Sequence, residues 1–229
     1  MLPARQRLPR ARRRGIGLVV EAGVEDAVAL GVLPVASAVL WPRGVHRGPY
    51  SRLAEAASEW LDSITGVVVG LVEEGRVEEA VEVVAARAVE LSRRIGEVLA
   101  ELGLAPEDRR GLAEELWRML SELLNRVCEE HVSTGPSDPL QERIEDAFIE
   151  ILTMVEALHR LWLGGWRVDA ASLRRATALL VVAGLVAQRL LPRDKQVAAE
   201  ALERLARRAR EEAATVLAHN LRGEAPHYA

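Results

Sequence analysis

Between Val77 and Leu102 an apolar residue returns at alternating steps of four and three: Val77, Val81, Val84, Ala88, Leu91, Ile95, Val98 and Leu102. A strand repeats every two residues and cannot produce that spacing. A 3.5-residue repeat turns one seam of an α-helix toward a neighbour along its whole length. The same steps occur at Leu53, Ala57, Trp60, Ile64, Val67 and Leu71, and at Leu140, Ile144, Ala147, Ile151, Met154, Leu158 and Leu161. A run over about 106–131 follows Leu112, Leu116, Met119, Leu123 and Val127 with one slip. From Ala176 to Ala187 the chain is apolar nearly all round, the mark of a helix central to a bundle or an oligomer. The last run, about 194–222, is strongly charged and is expected at the periphery. The fold expected is all-α: an antiparallel bundle of about six long helices with coiled-coil-like seams.

The boundaries carry capping chemistry. Pro106 and Pro139 suit a first helical turn, where the missing N–H costs nothing. Ser51, Ser137 or Asp138, Asp169 and Asp194 are expected N-caps. Gly75, Gly103 and Gly164 are expected at helix ends.

Residues 1–50 differ in texture and are expected to form a basic segment and linker. The bundle then spans 51–222, and 223–229 form a tail. Gly15–Val20 and Val35–Trp41 have the composition of short strands, so the segment has room for minor β-structure. Val24–Leu33 reads as a helix stopped by Pro34. Charge divides the chain in the same way: +5 over residues 1–50, −9 over 51–135 and zero over 136–229. The basic head therefore suits either the acidic middle of its own chain or an acidic partner.

Composition excludes several chemistries. Lys195 is the only lysine among 30 basic residues and lies in Arg-Asp-Lys-Gln, so no phosphate-binding loop exists. A Schiff-base lysine could only be Lys195. Gly-x-Ser-x-Gly and His-Glu-x-x-His are both absent, and Gly15-x-Gly17 lacks the third glycine of a dinucleotide fingerprint. Cys128 is the sole cysteine, which rules out an intrachain disulfide and points to a reducing, cytoplasmic setting. Abundant Arg and Glu with only two Asn and four Gln point to a thermophilic source. The uncharged stretch Ala27–Pro42 is shorter than the ~18–20 residues that a membrane span needs, so none is expected. The Arg-rich start imitates a signal peptide, but Glu21, Glu25 and Asp26 interrupt its apolar region.

Few residues remain as candidate sites. Glu156 and His159, three apart on one helix, match half of the ligand motif of dimetal four-helix bundles, which needs a second such pair and two more glutamates. Cys128 and His131 share that spacing. In an antiparallel hairpin, however, His131 and His159 lie roughly 30 Å apart at 1.5 Å per residue, so no metal site and no cofactor are expected. Arg126-Val-Cys-Glu-Glu-His131 resembles the Arg-x4-6-His motif of HEPN-type helical ribonucleases, and the same spacing recurs at Arg222 and His227. The resemblance implies two protomers joining their motifs. Arg126 would stabilise the RNA phosphodiester and His131 would act as acid and base. Arg5, Arg7, Arg10, Arg12, Arg13 and Arg14, with no acid among them, could contact nucleic-acid phosphates. Trp162 and Trp166, flanking Gly164-Gly165, are candidate interface anchors. The function expected is that of a non-enzymatic helical interaction or scaffold protein that self-associates or meets another helical protein. A nucleic-acid-associated helical protein and a HEPN-like ribonuclease are the alternatives.

Overall fold

The computed structural model describes residues 21–36, 50–105, 107–118 and 138–223. They form helices throughout: α1 (Val24–Ala36), α2 (Tyr50–Glu73), α3 (Val77–Glu101), α4 (residues 107–118), α5 (Pro139–Leu163), α6 (Ala170–Leu185) and α7 (Lys195–Gly223). A π-helical turn, Val186–Leu190, extends α6. The described residues thus hold seven helices packed as a bundle, where about six were expected. No strand occurs among them. The one β-type pairing joins Glu21 to Asp169, with the Ala22 N–H donating to the Val168 carbonyl at 3.0 Å. The strand expected at Gly15–Val20 lies outside the described residues. The one expected from Val35 is overtaken by α1, which includes Val35 and Ala36.

α6 occupies the centre. Its side chains are buried on every face, from Leu173 and Ala176 to Leu179, Val182 and Val186, and it touches α1, α2, α3, α5 and α7. Ala170–Leu190 is long and apolar enough to cross a membrane, but most of it is covered by the other helices. Ion pairs fix directions around it. Arg52–Glu101 and Glu59–Arg94 join α2 and α3 antiparallel. Arg143–Glu203 and Glu150–Arg210 join α5 and α7 parallel, in register. α7 is not merely peripheral: Ala198, Ala201, Leu202, Leu205, Ala209 and Ala213 lie in the core, and its charged residues other than the buried Glu212 lie away from it.

α1 belongs to the bundle although it falls within the first fifty residues. Ala27, Val28, Ala29 and Leu30 are buried against α2, α3 and α6. Pro34 does not stop the helix, which runs two residues further. A proline in a last turn removes one backbone donor without breaking several hydrogen bonds.

All three seams slip in their second half. On α2 Val67 is 57% exposed and its neighbour Val68 is 0% exposed. On α3 Leu99 takes the buried place expected of Val98, and on α5 Val155 takes that of Met154. A straight helix has 3.6 residues per turn and drifts about 20° per heptad from a 3.5-residue repeat. After two heptads the drift is about 40°, enough for the residue one position on to turn toward the buried stripe. Over these second halves the buried stripe follows 3.6 rather than 3.5 residues per turn, as on a straight helix.

The caps follow the expected chemistry with two shifts. Asp138 accepts from the Leu140 N–H at 3.1 Å, and Asp169 from the Ser172 N–H at 2.9 Å. Asp194 accepts from the N–H groups of Gln196 and Val197 at 3.0 and 3.1 Å. Ser51 lies inside α2, which begins at Tyr50. At the end of α5 the left-handed residue is Gly165, φ +79°, rather than Gly164. There the Trp166 N–H reaches back to the Leu161 carbonyl and the Gly165 N–H to that of Trp162, at 3.0 and 3.1 Å, a Schellman turn that needs a residue without Cβ. Gly75 ends α2 in the same way.

Candidate functional site

Polar chemistry enters the core at two places. The first is Asp26, in the acidic first turn of α1, whose later residues are apolar. Its carboxylate accepts from the Ser92 hydroxyl of α3 at 2.7 Å, from Nε of Arg174 on α6 at 3.2 Å and from the Gly23 N–H at 3.1 Å. It is buried, and its ring of donors joins three helices. Nearby, Asp169, Ser172, Arg175 and Glu212 form a relay from the start of α6 to α7, with Arg175 holding Glu212 through two bonds of 2.8 Å. The hydrogen bond to Glu212 keeps the Arg175 guanidinium firmly protonated. The hydrogen bonds of these clusters run between α1, α3 and α6 and between α6 and α7, so both tie helices together.

The second place is an aromatic stack where α4 meets the end of α5. His159 is 0% exposed. Its ring stacks on Trp117 with centroids 4.6 Å apart and planes 24° apart, and Trp162 lies tilted at 6.1 Å. Neither ring nitrogen of His159 has a hydrogen-bond partner, nor does Nε1 of Trp117. Burial alone pushes the imidazole down to about 4, so the ring is neutral at ordinary pH. Trp162 donates from its indole to the Ala22 carbonyl at 3.2 Å and carries the Arg110 guanidinium 5.4 Å above its ring. Arg110 also donates to the Leu163 carbonyl at the end of α5.

This arrangement separates the proposed metal pair. Seam drift on α5 explains why: four residues after Val155, the helix turns His159 inward. Glu156 remains at the surface side and pairs with Arg160. Among the described residues no group of three His, Cys, Asp or Glu is placed to hold a metal ion. Trp162 belongs to the stack, and Trp166 folds back over the α5 terminus, where a Cβ on Gly164 would sit 3.3 Å from its ring. Arg126 and His131, Cys128, and the basic positions Arg5, Arg7, Arg10, Arg12, Arg13 and Arg14 lie outside the described residues.

Sequence reasoning missed Trp117 and Asp26. Trp117 directly follows the seam residue Leu116, so one further seam slip would have found it. Asp26 had a plainer signal, as a carboxylate two residues into a run of apolar helix. The one nucleophile in the stack is the neutral His159 imidazole, and it is fully buried. The structure defines an all-α bundle whose buried polar groups serve cohesion. In comparisons with protein-family models, curated proteins and solved structures, the chain matches none.

Proposed function

We propose that this chain is a non-enzymatic helical interaction protein that pairs with a second copy of itself through the outer face of α5 and α7. One observation carries the reading. α7 buries Ala209, Ala213 and Val216 on its inner side and presents a second apolar stripe, Ala214, Leu217 and Leu221, on its outer side. Leu221 is 82% exposed, Leu217 44%, and Ile149 on the adjoining α5 44%. Exposed leucines on successive turns of one helix form a stripe of the kind that helix–helix pairing covers, and Ile149 of α5 lies about two turns nearer the start of α7, level with Ala209 in the α5–α7 register.

The rim of the face favours a second copy over a strongly charged partner. It carries both signs, with Arg207 and Arg210 beside Glu150 and Glu211. A two-fold contact sets a surface against itself, and a mixed rim avoids self-repulsion. The double variant Leu217→Glu/Leu221→Glu tests the reading, since it alters only exposed positions and leaves the core intact. In sedimentation velocity the variant is expected to run as a monomer at concentrations where the unaltered chain is a dimer. Equal sedimentation of the two would reject the face. The ion pairs between helices, Arg52–Glu101, Glu59–Arg94, Arg143–Glu203 and Glu82–Arg208, further support a protein from a thermophile.

A further inference from the structure

α4 buries Leu112, Ala113, Leu116 and Trp117, and specific contacts tie it to α1 and α5. Leu116 packs so closely on α1 that a Cβ on Gly31 would come within 3.1 Å of the Leu116 Cβ. Arg109 pairs with Glu25 of α1 at 3.3 Å. Arg110 reaches the Leu163 carbonyl and the Trp162 ring. A further tie is the stack of Trp117 on His159.

We propose that this stack is an acid-sensitive latch, in which protonation of His159 releases α4 from α1 and α5 while α2, α3, α6 and α7 stay folded. The argument rests on what surrounds the ring. An imidazolium here would be buried between two indoles with no carboxylate to accept its protons. The nearby acids are engaged elsewhere: Glu156 with Arg160, Glu25 with Arg109, Glu21 with Arg167, and Asp169 with Ser172. On α4, Glu114, Glu115 and Arg118 are exposed. The charge lying over the stack is the cation of Arg110. The interaction of a cation with an indole face recovers only part of the cost of burying a charge. Leaving the stack restores water to the ring.

The core elsewhere does not pass through this contact. α6 packs on α1, α2, α3, α5 and α7, and α5 packs on α7. Opening therefore uncovers the buried face of Leu112, Leu116 and Trp117 without dismantling the rest. The ring's folded-state value is about 4 against an ordinary 6.5. The open form thus gains about tenfold per pH unit over that interval.

Hydrogen exchange of the full chain tests the latch, comparing the unaltered protein with His159→Phe, which keeps an aromatic ring and cannot take a proton. Relative to that variant, protection over 107–118 is expected to fall about tenfold per unit between pH 6.5 and about 4, with protection in α2, α3 and α6 unchanged. An equal response in the two proteins overturns the proposal, and so does a loss that spreads together through α2, α3 and α6. If His159→Phe does not fold, NMR of the unaltered chain decides. The imidazole Cε1 proton must titrate below the ordinary histidine range, in step with loss of protection over 107–118. Titration at the ordinary value, or out of step, overturns the latch. Neither readout depends on whether the chain dimerises.

Discussion

An unpartnered buried polar group costs about 1–3 kcal/mol, and the His159 imidazole leaves two nitrogens in that state. Stacking on Trp117 offsets part of this, at about 0.5–1.5 kcal/mol for a pair of rings. The sign of the resulting pH dependence follows from burial. The folded-state value of about 4 lies below the ordinary 6.5, so the unfolded chain takes up the proton first as pH falls. The contribution of the neutral ring to stability is complete above pH 6.5 and is lost down to about pH 4, roughly 3 kcal/mol in all. Urea titrations at pH 7 and pH 4.5 should show most of that difference in the unaltered chain and little of it in His159→Phe. Asp26 is the counterpart in which both carboxylate oxygens have partners. Asp26→Ala strands the Ser92 hydroxyl and the Arg174 guanidinium, and should cost about 2–3 kcal/mol in the same assay.

At the scale of the element, the buried stripe follows 3.6 residues per turn, and neighbouring valines test this. Val68→Ala should cost about 2 kcal/mol, because Val68 is fully buried. Val67→Ala, at an exposed site, should stay within about 0.5 kcal/mol. If the larger loss falls on Val67, the coiled-coil register is the correct one. The first half of each seam was legible in the sequence because there the 3.5- and 3.6-residue repeats coincide. The second half was not, because the choice between Val67 and Val68, or Met154 and Val155, depends on whether the helix supercoils. No single residue states that. The same ambiguity hid the inward turn of His159 and left Glu156 and His159 looking like a ligand pair. Caps at Asp138, Asp169 and Asp194 were legible because they are local chemistry. The passage of α1 beyond Pro34 was not, since one lost hydrogen bond is outweighed by burial of Ala27–Leu30.

At the scale of the molecule, one apolar helix, α6, organises the rest, as its nearly unbroken apolar sequence implied. The π-helical turn that ends it, closed by the Leu191 N–H on the Val186 carbonyl at 2.9 Å, keeps Val186 and Leu190 both buried before the chain turns into α7. Nothing in the sequence marks that turn. Ion pairs spanning α2–α3, α3–α7 and α5–α7 clamp the outside. Such networks gain weight with temperature, because desolvating charges costs less when hot. The thermal midpoint should exceed the about 45–65 °C of mesophile domains and should fall with added salt, as calorimetry would show. A site of chemistry was never legible, and the described core explains why: its acids, hydroxyls and arginines are bound to each other, and its histidine is enclosed. The apolar surplus instead lies outside, on Leu217, Leu221 and Ile149. Light scattering on a size-exclusion column, run from low to high micromolar concentration, measures what that surplus does. A mass approaching twice the 25.1 kDa of the chain is expected. A single-chain mass throughout that range would contradict it.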